Sequence, residues 1–326
     1  MATSLRTREG GPASGRPAFR RTHGEGPFRF ATTGAGVLVL VIMAAIAVFL
    51  IVRAIPALQA NTSNFFTEQV WSPNGTTPVF GIAALAFGTL ISSLLALIMA
   101  LPVAVGVALF ISHYAPRRLA GVLGYVIDLL AAVPSVVYGL WGVIFLVPFM
   151  VGPSQFLNTY FGWIPLFGGD QVVGRSILTG SVVLAIMILP IIAAISREVF
   201  LQAPKSLEEA SLALGATRWE MIRMAVLPFG RPGVISAAML GLGRAMGETI
   251  AVALIFPATF EITFRVLSAN GNSIAANIAN GFGEATAVGR GALIASGLVL
   301  FVITLLINMA ARLIIARRRE YSGSAL

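Results

Sequence analysis

Long apolar runs alternate along this chain with short polar breaks. Six of them meet the roughly 20-residue requirement for crossing a hydrocarbon core: Thr32 to Val52, Phe80 to Ile111, Val122 to Val151, Ile177 to Ile195, Val234 to Phe256 and Ala292 to Ile315. The pattern predicts an all-α, polytopic membrane protein with six transmembrane helices. The second and third runs are longer than a crossing needs, and Pro102 and Pro134 within them are expected to kink the helices, with freed carbonyls satisfied by neighbours. The connecting segments Asn61 to Pro78 and Gly152 to Arg175 carry Phe65, Trp71, Phe156, Tyr160 and Trp163, aromatics that favour the headgroup level.

One polar interruption has helical character of its own. In the stretch from Lys205 to Pro228, Ser206 followed by Glu208 and Glu209 reads as a helix start, and Gly215 as its end. Thr217 to Val226 reads as a second helix, which Pro228 is expected to stop. Two short helices meeting at a glycine suit a docking knob. The same features also fit a solvated connector.

Composition excludes a soluble globule: 57% of the 326 residues are hydrophobic and 11% are charged. Basic residues fix the expected orientation, because they stay on the cytoplasmic side. Arg6, Arg8, Arg16, Arg20, Arg21 and Arg29 precede the first span; Arg117 and Arg118, then Arg197, Lys205, Arg218, Arg223 and Arg231, fall in two later loops, and Arg312, Arg317, Arg318 and Arg319 end the chain. Only Arg53, Arg175, Arg265 and Arg290 fall on the other side. Both termini are therefore expected in the cytoplasm. Residues 1–30 form a mobile basic tail, 31–318 the membrane domain with a cytoplasmic loop at 197–231, and 319–326 a second tail.

The net charge of +9 comes from groups flanking spans rather than from a basic patch with interleaved aromatics. It points to contact with anionic membrane lipid and not to nucleic acid. The first span is too long for a removable leader and reads as a signal anchor. With no cysteine and only His23 and His113, no multi-histidine or thiolate metal site is expected, and both histidines read as incidental. Asn61-Thr62-Ser63 and Asn74-Gly75-Thr76 fit the glycosylation pattern, a weak signal.

The fifth run contains two charges. Arg244 and Glu248 lie four residues apart, a spacing that puts both on one helical face where each offsets the other. A charge at mid-membrane costs about 2.5 to 3.5 kcal/mol on insertion scales, so it normally faces a partner or a wet path. Gly243 and Gly247 add a small-xxx-small surface for close packing. An ion pair that only locks two helices is one reading. The other is that Arg244 offers its planar fork to an anion in transit, with Glu248 holding it and accepting from a protonated oxyanion. Asp128 reads as a helix-end carboxylate bound to neighbouring amides.

The polar interruption, with Glu209-Ala210, Gly215, Arg218 and Leu227-Pro228, resembles the coupling loop of ABC importer permeases of type I, whose membrane domains share the MetI-like fold. Ser211 and Ala225 depart from the usual pattern but are small replacements on a helix. The run Gly-Leu-Gly-Arg-Ala-Met-Gly-Glu-Thr-Ile-Ala-Val at 241–252 resembles the PstC-type permeases of phosphate importers, as do Phe87-Gly88-Thr89-Leu90, Ala132-Val133-Pro134-Ser135 and Gly271-Asn272-Ser273-Ile274-Ala275. The likeness covers about residues 35 to 318.

That resemblance implies a permease pairing with a PstA-like permease, above a dimer of PstB-like ATPases, and receiving phosphate from a PstS-like binding protein. It places Glu209, Ala210, Gly215, Arg218, Leu227 and Pro228 at the ATPase contact and Arg244 and Glu248 on the substrate path. No cofactor is expected in this chain, ATP being bound by the partner. The residues agree: there is no Gly-x-x-x-x-Gly-Lys-Ser/Thr phosphate loop, and Lys205 is the only lysine. The chain is thus expected to be a transporter subunit and not an enzyme. Another oxyanion as cargo, sulfate or molybdate, and a non-transporting scaffold or sensor remain as alternatives.

Overall fold

The computed structural model describes residues 25–169 and 172–323, with side chains described for 28–169 and 172–313. Expectations for residues 1–24, His23 among them, and for the end of the C-terminal tail at 324–326 lie outside the described residues. Chain contacts divide the protein into a unit ending at Phe49 and a unit from Leu50 onward.

In the first unit the described residues are all helix, the leading part of α1 (Glu25–Ala60). The segment Glu25 to Phe30 therefore belongs to the helix, not to the mobile tail expected there. Its apolar side chains from Phe28 to Phe49 are almost all exposed, a surface that suits lipid along its length.

The second unit is built around α2 (Ala83–Leu109) and α6 (Ile177–Leu201). Along α2, Ala96, Ala100, Ala104 and Ala108 recur every fourth residue, on one face, and none is more than 1% exposed. Small side chains let the two backbones approach; Ala96, Ala100 and Ala104 share a core with Leu184, Ile188 and Ile192 of α6, and Ala108 packs in a separate cluster with Phe200. Between helices in lipid there is no hydrophobic drive, so this seam is held by van der Waals contact and depends on fit.

Six helices among the described residues are long and apolar enough to cross a membrane. Two differ clearly from the expected spans: Arg218–Met246 stands in place of 234–256, and Ser135–Phe161 in place of 122–151. The run at 122–151 is not one helix: α3 (Arg117–Ala131) stops before Pro134, and α4 (Ser135–Trp141) restarts after it. A proline disfavours helical backbone in the residue before it, and Pro134 itself takes an extended ψ of 137°. The crossing helix is instead Ser135–Phe161, which includes α5 (Val147–Phe161). Pro102, by contrast, lies inside α2 without ending it.

Three turns in the spans are widened to i→i+5 hydrogen bonding: Phe110–Tyr114, Gly142–Leu146 and Ile222–Val226. Each is followed, after one intervening residue, by a proline: Pro116, Pro148 and Pro228. At Pro148 and Pro228, which lie within continuing helix, the proline ring would collide with the carbonyl four residues back, and the extra residue in the turn relieves that collision; Pro116 instead follows the extended Ala115, where the helix has already ended. Pro228 consequently does not stop the helix as the sequence led us to expect. It sits in the first turn of α9 (Leu227–Met246), which continues from α8 (Arg218–Met221) through the widened turn.

Between α1 and α2 a short antiparallel pair, β1 (Trp71–Ser72) and β2 (Val79–Phe80), closes the end of the bundle. Phe80 is fully buried, with ring contacts to Phe65 at 6.0 Å and Trp71 at 5.8 Å. Asn61 Nδ2 donates to the Phe80 carbonyl at 2.8 Å, and Asn61 Oδ1 accepts from the Phe80 N–H at 3.1 Å. Both ends of that carboxamide are occupied, which argues against the glycosylation pattern at Asn61.

Candidate functional site

The polar island forms the two expected helices, although the first starts at Lys205 after Pro204, which supplies no side-chain cap, and not at Ser206. α7 (Lys205–Ala213) ends in a complete Schellman arrangement: the Gly215 N–H donates to Leu212 O at 3.0 Å and the Ala216 N–H to Ser211 O at 3.2 Å. Gly215 takes φ +87°, a left-handed conformation that needs glycine, although a side chain there would meet nothing within 4 Å. Thr217 then opens α8 with a capping box. Its Oγ1 accepts from the Glu220 N–H at 3.3 Å, and Glu220 Oε2 accepts from the Thr217 N–H at 2.7 Å. The two helices are thus set at a fixed angle by backbone chemistry.

Between them lies an open cleft of about 720 Å³. It brings together Ala210, Gly215 and Pro228 of the residues singled out from the sequence, with Leu207, Leu214 and Met224. Glu209, Arg218 and Leu227 are not among its walls; Glu209 and Arg218 are exposed on the helix surfaces. Leu214 is 90% exposed and Met224 59%, a concentration of apolar side chains in an otherwise polar segment. Beneath the cleft, Met221, Ile222 and Val226 are buried against Phe200 and against Ala108 and Leu109 at the end of α2. This packed base joins the helix that starts with α8 to the ends of α2 and α6.

Two polar contacts tie the same region together, and the sequence reading missed both. His113 Nε2 lies 3.6 Å from Glu208 Oε1, joining the end of the second span to α7, and His113 Nδ1 lies 2.7 Å from Ser112 Oγ. His113 is therefore not incidental. Arg197, at the end of α6, lies 3.6 Å from Asp128 of α3 and 2.7 Å from Glu198. Asp128 thus pairs with a guanidinium and not with neighbouring amides as expected. Gly124 makes room for this, since a side chain there would collide with Arg197 Nη1. Sequence spacing gives no sign of either pair, because each joins residues about 70 or more positions apart.

The charged pair of the fifth span is arranged differently from the expectation. α9 ends at Met246, and α10 (Ile250–Ile255) begins after an irregular link at Gly247–Thr249. The four-residue register is lost there, and Arg244 and Glu248 are not paired within 4.0 Å. Glu248 is buried, 8% exposed, and its Oε1 accepts from the Ala251 N–H at 3.2 Å. Arg244 is exposed and lines a separate cavity of about 530 Å³ with Gly243, Leu240 and Asn308. Its charge is left available to a ligand or partner in that cavity. The close approach expected at Gly243 belongs to Gly241, where a side chain would meet Ile192 Cδ1 at 2.8 Å, while Gly243 has nothing within 4 Å.

Against this geometry stand the similarities to other proteins. Residues 100–320 match the family model described as "Binding-protein-dependent transport system inner membrane component". The chain is 47% identical over 304 residues to "Phosphate transport system permease protein PstC 2" of Mycobacterium tuberculosis, covering 92% of this chain and 93% of that one. It is 38% identical over 328 residues to "Phosphate transport system permease protein PstC" of Xylella fastidiosa, covering 99% and 100%. Among solved structures, it resembles a bacterial ABC transporter involved in the import of the acidic polysaccharide alginate, with a TM-score of 0.54 at 18% identity over 89% of this chain and 96% of that one. It also resembles the inward-facing MetNI methionine ABC transporter, with a TM-score of 0.51 at 18% identity over 71% and 93%. These two likenesses concern the fold.

Proposed function

This chain belongs to the PstC-type permeases, inner membrane components of binding-protein-dependent transport systems, and on that premise we propose that it moves inorganic phosphate across the cytoplasmic membrane. It does so as one permease of an ABC importer, beside a PstA-like permease, with ATP hydrolysed by a separate PstB-like dimer and phosphate delivered by a PstS-like binding protein. The names of its relatives favour phosphate over sulfate or molybdate, and transport over a scaffold or sensor. Both termini and the α7–α8 segment lie in the cytoplasm, as the distribution of arginines favours.

The observation that carries this reading is the α7–Gly215–α8 unit: two capped helices at a fixed angle, apolar side chains exposed between them, on a base packed into two spans. Such a unit acts as a rigid lever. Closure of the ATPase dimer pushes on Glu209, Ala210 and Arg218, and the Leu227–Pro228 turn passes the motion into α9, rocking the spans between inward and outward states. Arg244 supplies the cation that meets phosphate in transit, its fork free because Glu248 is engaged at α10. Glu248 fixes the link after α9 and so sets where Arg244 stands.

The experiment is uptake of labelled phosphate by a strain lacking this chain, with and without its return. Uptake restored by the chain, and competed by unlabelled phosphate but not by sulfate or molybdate, is the expected result. Restored uptake of another oxyanion instead would overturn the substrate.

A further inference from the structure

At the end of the bundle away from α7, the fold holds a second, polar cavity of about 360 Å³. α2 fixes the separation. Its far end meets α7 through His113, while Thr89 near its start accepts from the Ile274 N–H at 3.0 Å, roughly 36 Å away at 1.5 Å per residue. Asn74, Asn272, Asn277, Asn280, Trp71 and Glu284 are among the residues lining the cavity, contributed by the hairpin, by α11 (Ile274–Gly281) and its leading loop, and by the approach to α12 (Ala287–Gly323).

The amides present donors. Asn74 Oδ1 accepts from the Thr286 N–H at 3.1 Å and from Thr286 Oγ1 at 2.9 Å, which leaves its NH2 group. Asn272 Oδ1 accepts from the Ser273 N–H at 2.9 Å, with the same consequence. Asn277 is 6% exposed, and its Nδ2 has no hydrogen-bond partner, a costly state for a buried donor. No lysine or arginine lines the cavity, and Glu284 adds one carboxylate. A ligand that fits must accept hydrogen bonds on one side and donate one on the other. Phosphate near neutral pH does both, having P–O acceptors and at least one P–OH; sulfate has no proton to donate.

We propose that this cavity is an outer station for protonated phosphate, held by the amides of Asn74, Asn272 and Asn277 and selected by Glu284 accepting from its P–OH. The proposal rests on the reading that the chain carries phosphate and that this end faces outward. A donor set without a cation holds an anion weakly, which suits a station that must pass its ligand on toward Arg244. Glu284 would repel a fully deprotonated anion and so act before Arg244, whose guanidinium accepts any oxyanion.

The test is uptake of labelled phosphate by cells carrying the complete transporter, with wild type, Asn277→Asp and Glu284→Gln compared at equal membrane level. Asn277→Asp turns a donor into an anion and is expected to lower uptake about tenfold, the scale of one lost charge-assisted hydrogen bond. Glu284→Gln is expected to make phosphate uptake sensitive to excess sulfate, a change that a packing defect does not produce. Should Asn277→Asp fail to reach the membrane, the sulfate sensitivity of Glu284→Gln decides alone. Wild-type uptake with both variants unchanged and sulfate-insensitive overturns the outer station while leaving the transporter reading intact. A wild-type complex that moves no phosphate overturns both.

Discussion

At the scale of single residues, backbone conformation and charge divide the work. Gly215 is needed for its φ of +87° and not for space, so any other residue strains the turn between α7 and α8 by roughly 1–2 kcal/mol. Gly215→Val is expected to leave the complex assembled and to lower phosphate uptake more than ATP hydrolysis; uptake and hydrolysis in parallel measure this. Arg244→Gln is expected to abolish uptake while the ATPase still docks, as read by co-purification, and retained uptake would reduce Arg244 to a surface residue. Gly215 was legible in the sequence because a glycine between one helical stretch and a second one from Thr217 marks such a turn. The pairing of Arg244 with Glu248 was misread, because spacing implies a shared face only while the helix lasts, and α9 ends between them. His113 and Asp128 were misread and Asn277 was passed over, since their partners or cavities come from distant parts of the chain.

At the scale of elements, the seam between α2 and α6 and the three widened turns decide how the spans pack and where they continue. Ala100 is 1% exposed in a stripe of alanines, and Ala100→Leu is expected to force the helices apart and destabilise the bundle by about 1–3 kcal/mol. Thermal unfolding of the detergent-purified complex measures it, and an unchanged midpoint would contradict the seam. The contact between His113 and Glu208 holds α7 to the end of α2. His113→Ala is expected to weaken coupling, read as less phosphate moved per ATP, with the bundle intact. The apolar runs announced the spans because length and composition suffice for that, but not their breaks. Both halves of the run at 122–151 are apolar, so only the local effect of Pro134 divides it, and Pro228 joins a helix because the turn before it widens.

At the scale of the whole molecule, the two ends carry different chemistry. One holds the exposed helices α7 and α8 with apolar side chains between them, and the other a cavity of amides. Since the chain has no cysteine, single cysteines at Leu214 and at Asn280 report the sidedness of each end. The first is expected to react only from the cytoplasm and the second only from outside. Fold class and family were legible in the sequence because they rest on long apolar runs and on local motifs; the cavities were not, being made only when distant segments meet. The central claim is that the α7–α8 unit converts ATP hydrolysis into passage of phosphate. The most direct measurement is the amount of phosphate transported per ATP hydrolysed by the reconstituted importer with Gly215→Trp in place of the native residue. The account expects hydrolysis to continue while transport falls to background, and transport at the native ratio would contradict it.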